Sequence, residues 1–209
     1  MNEDWPYLNK YRQENTKLLF PEPDENRIVF MGDSITEFWS SVQPDFFLGK
    51  NYINRGISGQ TTPQILLRFR ADVINLKPKL VVLLAGGNDI AGNTGPSTLE
   101  MIQNNIFSMI ELAQLHHIKP ILCSVLPANH FYWKPKEKPA DTIIALNKTL
   151  RHYAETNSIL FVDYYSQMVN EDKGLKVGYT YDGVHPNQKG YEIMAPLIEK
   201  TIELSLSKT

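Results

Sequence analysis

A serine in Gly32-Asp33-Ser34, an asparagine in Gly86-Gly87-Asn88-Asp89 and the pair Asp182-x-x-His185 are the residues of this chain whose types and spacing suit covalent chemistry. A serine hydroxyl is a weak nucleophile at neutral pH. It needs a base to take its proton, and the base needs a carboxylate to hold its tautomer. Asp182 and His185 are three apart in a turn-like segment, with Gly183 between them and Pro186 ending the turn. That spacing can set the carboxylate against imidazole Nδ1 and leave Nε2 facing a hydroxyl. A tetrahedral intermediate also needs donors around its oxyanion, for which the Ser34 and Gly59 backbone N–H groups and the Asn88 amide are the candidates. Glycine at 59 suits close backbone approach, because no Cβ stands in the way. Together these parts make up acyl transfer.

Ser34 also has a plainer reading. Ser34-x-x-Glu37 has the spacing of a capping box, in which both side chains satisfy orphan N–H groups. The two readings are compatible, since the first turn of a helix favours developing negative charge. Asp33 reads as a residue that holds the turn through nearby N–H groups, and its place beside the serine makes it a candidate substrate contact as well.

The elements between these residues must bring them together. Five short apolar or β-branched runs recur: "RIVFMG", "NYINRG", "KLVVLLAGG", "PILCSVLP" and "ILFVDYY". Helical periodicity separates most of them. Thr62-Pro63 predicts one helix start, Ser97-x-x-Glu100 a second, Asp141 a third and Asn187 the last. A further helix is predicted from about Asp4 to Leu19, packed on the outside. Strands alternating with helices imply βαβ crossovers and a mainly parallel sheet of five strands with helices on both faces. In such a sheet ligands bind beyond the carboxyl ends of the strands. Ser34, Gly59 and Asn88 each follow a run, and Asp182 and His185 stand at the entry to the last helix.

The 209 residues suit one α/β domain spanning 1–209, with residues 1–26 as a helical extension packed on it. A formal net charge of -2 supplies no basic field for nucleic acid. No apolar run approaches the roughly 20 residues needed to span a bilayer, so no membrane partner is expected. "MNEDWPYLNKYRQEN" has neither a basic start nor an apolar core. The expected compartment is therefore the cytoplasm, or the exterior if a leader has been removed. The single Cys123 reads as a small buried hydrophobe and rules out an internal disulfide. The chain is expected to be a monomer or homodimer.

In order along the chain, "GDSI" at Ser34, "SGQT" at Gly59, "GGND" at Asn88 and "DGVH" at His185 resemble the four blocks of the GDSL esterases, the SGNH hydrolase family. Isoleucine stands where the first block usually has leucine, an apolar exchange that leaves the polar residues in place. The resemblance implies a three-layer α/β/α flavodoxin-like fold with no cofactor and no metal. It further implies Ser34 as nucleophile, His185 as base, Asp182 as its orienter, and Ser34, Gly59 and Asn88 as the oxyanion hole. The chain resembles the small acetylesterase and platelet-activating-factor acetylhydrolase-like members; many compact members of this length are acetylesterases, while others take lysophospholipids or thioesters. The expected partner is thus a small-molecule ester, with a short acyl group on a carbohydrate or similar polar alcohol.

The loop "LPANHFYWKPKEKP" after the fourth run offers His130 and Trp133 as substrate contacts, and Tyr181 stands beside Asp182. Their aromatic faces with polar edges suit a sugar ring. Two other classes stay open on the residues alone. Asp33 and Asp89 after the first and third runs would suit a non-catalytic flavodoxin-like module, and Asp182 with His185 would suit a metal site, although no further histidine or cysteine cluster accompanies them.

Overall fold

The computed structural model describes residues 4–207, leaving residues 1–3 of the expected extension and residues 208–209 outside. The five apolar runs become strands β1 (Ile28–Gly32), β2 (Tyr52–Gly56), β3 (Leu80–Leu84), β4 (Lys119–Cys123) and β5 (Leu160–Val162). They form one sheet in the order β2-β1-β3-β4-β5, and every pairing is parallel. Helices fill the crossovers, α2 (Ser34–Val42), α3 (Thr62–Asp72), α4 (Gly87–Ile90), α5 (Leu99–Leu115) and α6 (Ala140–Thr156), and α7 (Tyr164–Met168) and α8 (Gln188–Leu206) follow the last strand.

The pleat decides which helix lies on which face. Val29, Met31, Val81 and Leu83 point to one side, where Ile65 and Phe69 of α3, Ile106 and Met109 of α5, and Leu146 and Leu150 of α6 cover them. Ile28, Phe30, Leu80 and Val82 point to the other, against Trp39 of α2, Met168 of α7 and Ile198 of α8. Buried on both faces, the central strands have no need of alternation, which is why they read as continuous apolar runs. The order also matters for chemistry. With β1 between β2 and β3, the residues that follow these strands emerge side by side at the point where the winding of the sheet reverses.

Three predicted helix starts shift for local reasons. Thr61, not Thr62, caps α3, because Thr62 spends its N–H and its hydroxyl on Asp89 at 2.9 and 2.6 Å. Thr98, not Ser97, caps α5, accepting from the Met101 N–H at 3.2 Å. The expected helix from Asp4 to Leu19 shrinks to α1, Arg12–Lys17, which buries no residue. Ahead of it the Trp5 and Pro6 carbonyls accept from the side chains of Gln64 and Gln60, both at 2.8 Å. Those bonds hold this stretch as turns against the domain.

Candidate active site

Ser34 is the first residue of α2 and the helix begins on Asp33, whose Oδ1 accepts the Ile35 N–H at 3.0 Å. The predicted capping box is therefore absent: Asp33 caps, and Glu37 reaches across to Ser58 instead. Helix α2 lies hard against the end of β2, where a Cβ on Gly56 would stand 2.1 Å from the Glu37 nitrogen. On its other side, Trp39 stacks on Tyr191 of α8 with ring centres 5.2 Å apart. The Tyr191 hydroxyl also donates to the Ile35 carbonyl at 2.8 Å. The helix that carries Ser34 is thus bonded directly to the helix that follows His185.

Ser34 Oγ lies 2.9 Å from His185 Nε2, and His185 Nδ1 lies 2.7 Å from Asp182 Oδ2. The other Asp182 oxygen accepts the His185 and Val184 N–H groups at 2.8 and 2.9 Å. Partial burial pushes the Asp182 pKa up, but these bonds to His185 and Val184 outweigh it and hold the carboxyl below its ordinary range. Thr180 closes the turn, its hydroxyl donating to the His185 carbonyl at 2.8 Å. The arrangement can relay a proton from the serine to an imidazole whose tautomer is set by an ionised carboxylate.

Gly59 adopts φ +77, a left-handed conformation that glycine enters without strain. Among the described residues neither its backbone N–H nor that of Ser34 has a hydrogen-bond partner. The Asn88 amide nitrogen donates to the Gln60 carbonyl at 3.0 Å and more weakly to Asp33 Oδ2 at 3.3 Å. Its oxygen accepts from Asn93 Nδ2 at 2.9 Å, which fixes the orientation of the amide. Asn93, five residues beyond Asn88, was not among the residues singled out from the sequence. It also donates to the Gly59 carbonyl at 3.2 Å and accepts from the Trp133 indole at 3.1 Å.

These groups line one cavity of about 440 Å³ with Trp133 and Tyr181, and Phe38 and Tyr132 add further walls. Trp133 also stacks near the His185 ring, with centres 6.3 Å apart. Two expected substrate contacts lie elsewhere. Asp33 is buried beneath the site, committed to Ile35 and Asn88, and burial pushes its pKa up to about 6. His130 bonds Asn129 through Nδ1 at 2.8 Å and packs its ring on Gly183, where a Cβ would meet it at 2.8 Å. It backs the Asp182–His185 turn and does not line the cavity. Cys123 is buried in the sheet, where burial raises its thiol pKa to about 12.

Among the described residues no group of three or more His, Cys, Asp or Glu side chains is placed to hold a metal ion, and no helix is long and apolar enough to cross a membrane. The sequence model of the GDSL-like Lipase/Acylhydrolase family matches residues 30–193, a span that includes Ser34, Gly59, Asn88, Asp182 and His185. The crystal structure of a GDSL-like lipase from Bacteroides thetaiotaomicron superposes with a TM-score of 0.94 at 50% identity, covering 96% of this chain and 98% of that one. An acetylxylan esterase of Geobacillus stearothermophilus is 24% identical over 201 residues, or 81% of this chain and 90% of its own length. A lipoprotein of Bacillus subtilis, itself uncharacterised, is 38% identical over 78 residues, which are 36% of this chain and 32% of the lipoprotein. The chain thus matches about a third of that relative's length.

Proposed function

Because the chain belongs to the GDSL-like lipase/acylhydrolase family, the SGNH hydrolases, we propose that it is a serine esterase acting on short-chain esters, acetyl foremost, of carbohydrates or similar polar alcohols. The observation that carries the reading is the line Ser34 Oγ–His185 Nε2–Asp182, with gaps of 2.9 and 2.7 Å, opening on a cavity. Ser34 Oγ attacks the ester carbonyl carbon while His185 Nε2 takes its proton. The oxygen that becomes negative is received by the Ser34 and Gly59 N–H groups and the Asn88 amide, whose long bond to Asp33 is the one it displaces. Collapse expels the alcohol, which leaves with the proton from His185. Water activated by the same imidazole then frees the acid from Ser34.

If the Asn88 amide meets the oxyanion, Asn88→Ala should lower kcat about 10²- to 10³-fold. A loss confined to KM would instead mark ordinary substrate binding. Steady-state kinetics on an acetyl ester separate the two.

The short acyl group is supported by the acetylxylan esterase relative and by the cavity walls, in which aromatic faces at Trp133, Tyr132 and Tyr181 outnumber aliphatic chains. Each CH₂ of an acyl chain that found an apolar slot would contribute about 0.8 kcal/mol. In a series of p-nitrophenyl esters from acetyl to decanoyl, kcat/KM should fall once the chain passes butanoyl. A rise toward octanoyl would replace the acetylesterase reading with a lysophospholipase or thioesterase. A fluorophosphonate probe that leaves Ser34 unlabelled would point to a non-catalytic module.

A further inference from the structure

Gly59 has no side chain, and its N–H has no partner among the described residues, so beyond the Asn93 bond to its carbonyl its position is set by its neighbours. Both neighbours are tied to the N-terminal segment. On one side, the Ser58 N–H and hydroxyl donate to Glu37 Oε2 at 2.6 and 2.5 Å, and Glu37 Oε1 pairs with Lys10. On the other, the Gln60 amide donates to the Pro6 carbonyl at 2.8 Å. The Gln60 side-chain oxygen accepts from Nε of the fully buried Arg68 at 2.5 Å, and its backbone carbonyl is the one that holds Asn88. Tyr11 closes the row by donating to the Gly56 carbonyl.

The charge balance adds a second argument. Partial burial raises the Glu37 pKa, but hydrogen bonds from Lys10 and Ser58 outweigh it and hold the carboxyl below its ordinary range. An ionised carboxylate one residue from Gly59 would oppose negative charge arriving at that N–H. Lys10, on the far oxygen, offsets it.

We propose that Glu37 is a positioning residue for the Gly59 N–H and that residues 5–11 clamp it there, making the N-terminal segment a working part of the site. The proposal rests on the esterase reading above. Its test compares the full-length wild type with Glu37→Ala, Glu37→Gln and Lys10→Met on p-nitrophenyl acetate. Melting midpoints and inhibition by a trifluoromethyl ketone, which forms a tetrahedral adduct with the serine, are measured alongside. Glu37→Ala should lower kcat roughly 10- to 100-fold, less than losing an oxyanion donor outright, with KM within about twofold. Ketone affinity should fall by the same factor as kcat/KM. Glu37→Gln keeps an oxygen for the Ser58 N–H and should recover most of the loss, and Lys10→Met should fall between wild type and Glu37→Ala.

Wild-type kcat in both Glu37→Ala and Lys10→Met overturns the proposal. So does a loss seen only in KM, or a lowered melting midpoint with ketone affinity unchanged. Should Glu37→Ala fail to fold, Lys10→Met decides alone, since its side chain is at the surface. A wild type that hydrolyses no ester defeats the esterase reading, and this inference with it.

Discussion

Ser34→Ala should lower kcat for ester hydrolysis by about 10⁶ and leave the fold as it is. The chemical half of this expectation follows from the proposed role of the serine oxygen as the atom that forms the acyl bond, since among the described residues no other hydroxyl is hydrogen-bonded to His185 Nε2. The structural half follows from the cap. Asp33, not Ser34, satisfies the first turn of α2, so losing the hydroxyl exposes no orphan N–H. Kinetics and melting curves on the same preparation check both halves. Activity above about 1% of wild type in a variant free of contaminating esterase would remove Ser34 from the role of nucleophile.

Asp182→Asn should lower kcat about 10⁴-fold. An amide that turns its NH₂ group toward His185 Nδ1 favours the tautomer with the proton on Nε2, and that nitrogen can no longer accept from Ser34. The same substitution carries a signature in stability. The Asp182 carboxyl is held below its ordinary range by the His185 and Val184 bonds despite the upward push of burial. A carboxyl more acidic in the folded chain than in the unfolded one stabilises the fold above its unfolded pKa. That contribution is lost as pH falls through the lowered value. The difference in melting midpoint between wild type and Asp182→Asn should therefore be largest near neutrality and shrink in acid, below about pH 4. A difference that stayed constant across that range would mean that the Asp182 carboxyl has the same pKa in the folded and the unfolded chain.

The strands and the residues just beyond them were legible because doubly buried strands are written as unbroken apolar runs, and punctuation follows each one. Gly32-Asp33, Gly59 and Gly86-Gly87 are such punctuation, and the side-by-side placement of Ser34, Gly59 and Asn88 then follows from the sheet order. What stayed hidden is non-local. Glu37 fits a capping box by spacing, yet its partner is Ser58, 21 residues away. Thr62 looks like a cap until Asp89, 27 residues on, claims its donors. The segment from about Asp4 reads as the start of a helix, but Gln60 and Gln64 engage the Pro6 and Trp5 carbonyls. Asn93 gives no sign of its role, because the Trp133 that orients it is 40 residues further along.

The proposed nucleophile and its base are 151 residues apart, and Tyr191 on α8 makes a bond that joins the two halves of the site. During synthesis the ribosome releases Ser34 long before it releases His185. Contacts of such long range are also the slow ones to form. On the proposed mechanism, a nascent chain carries an inert serine until α8 has emerged and docked. Hydrolysis of a fluorogenic acetate during translation would then act as a clock for completion of the fold, silent through every earlier stage.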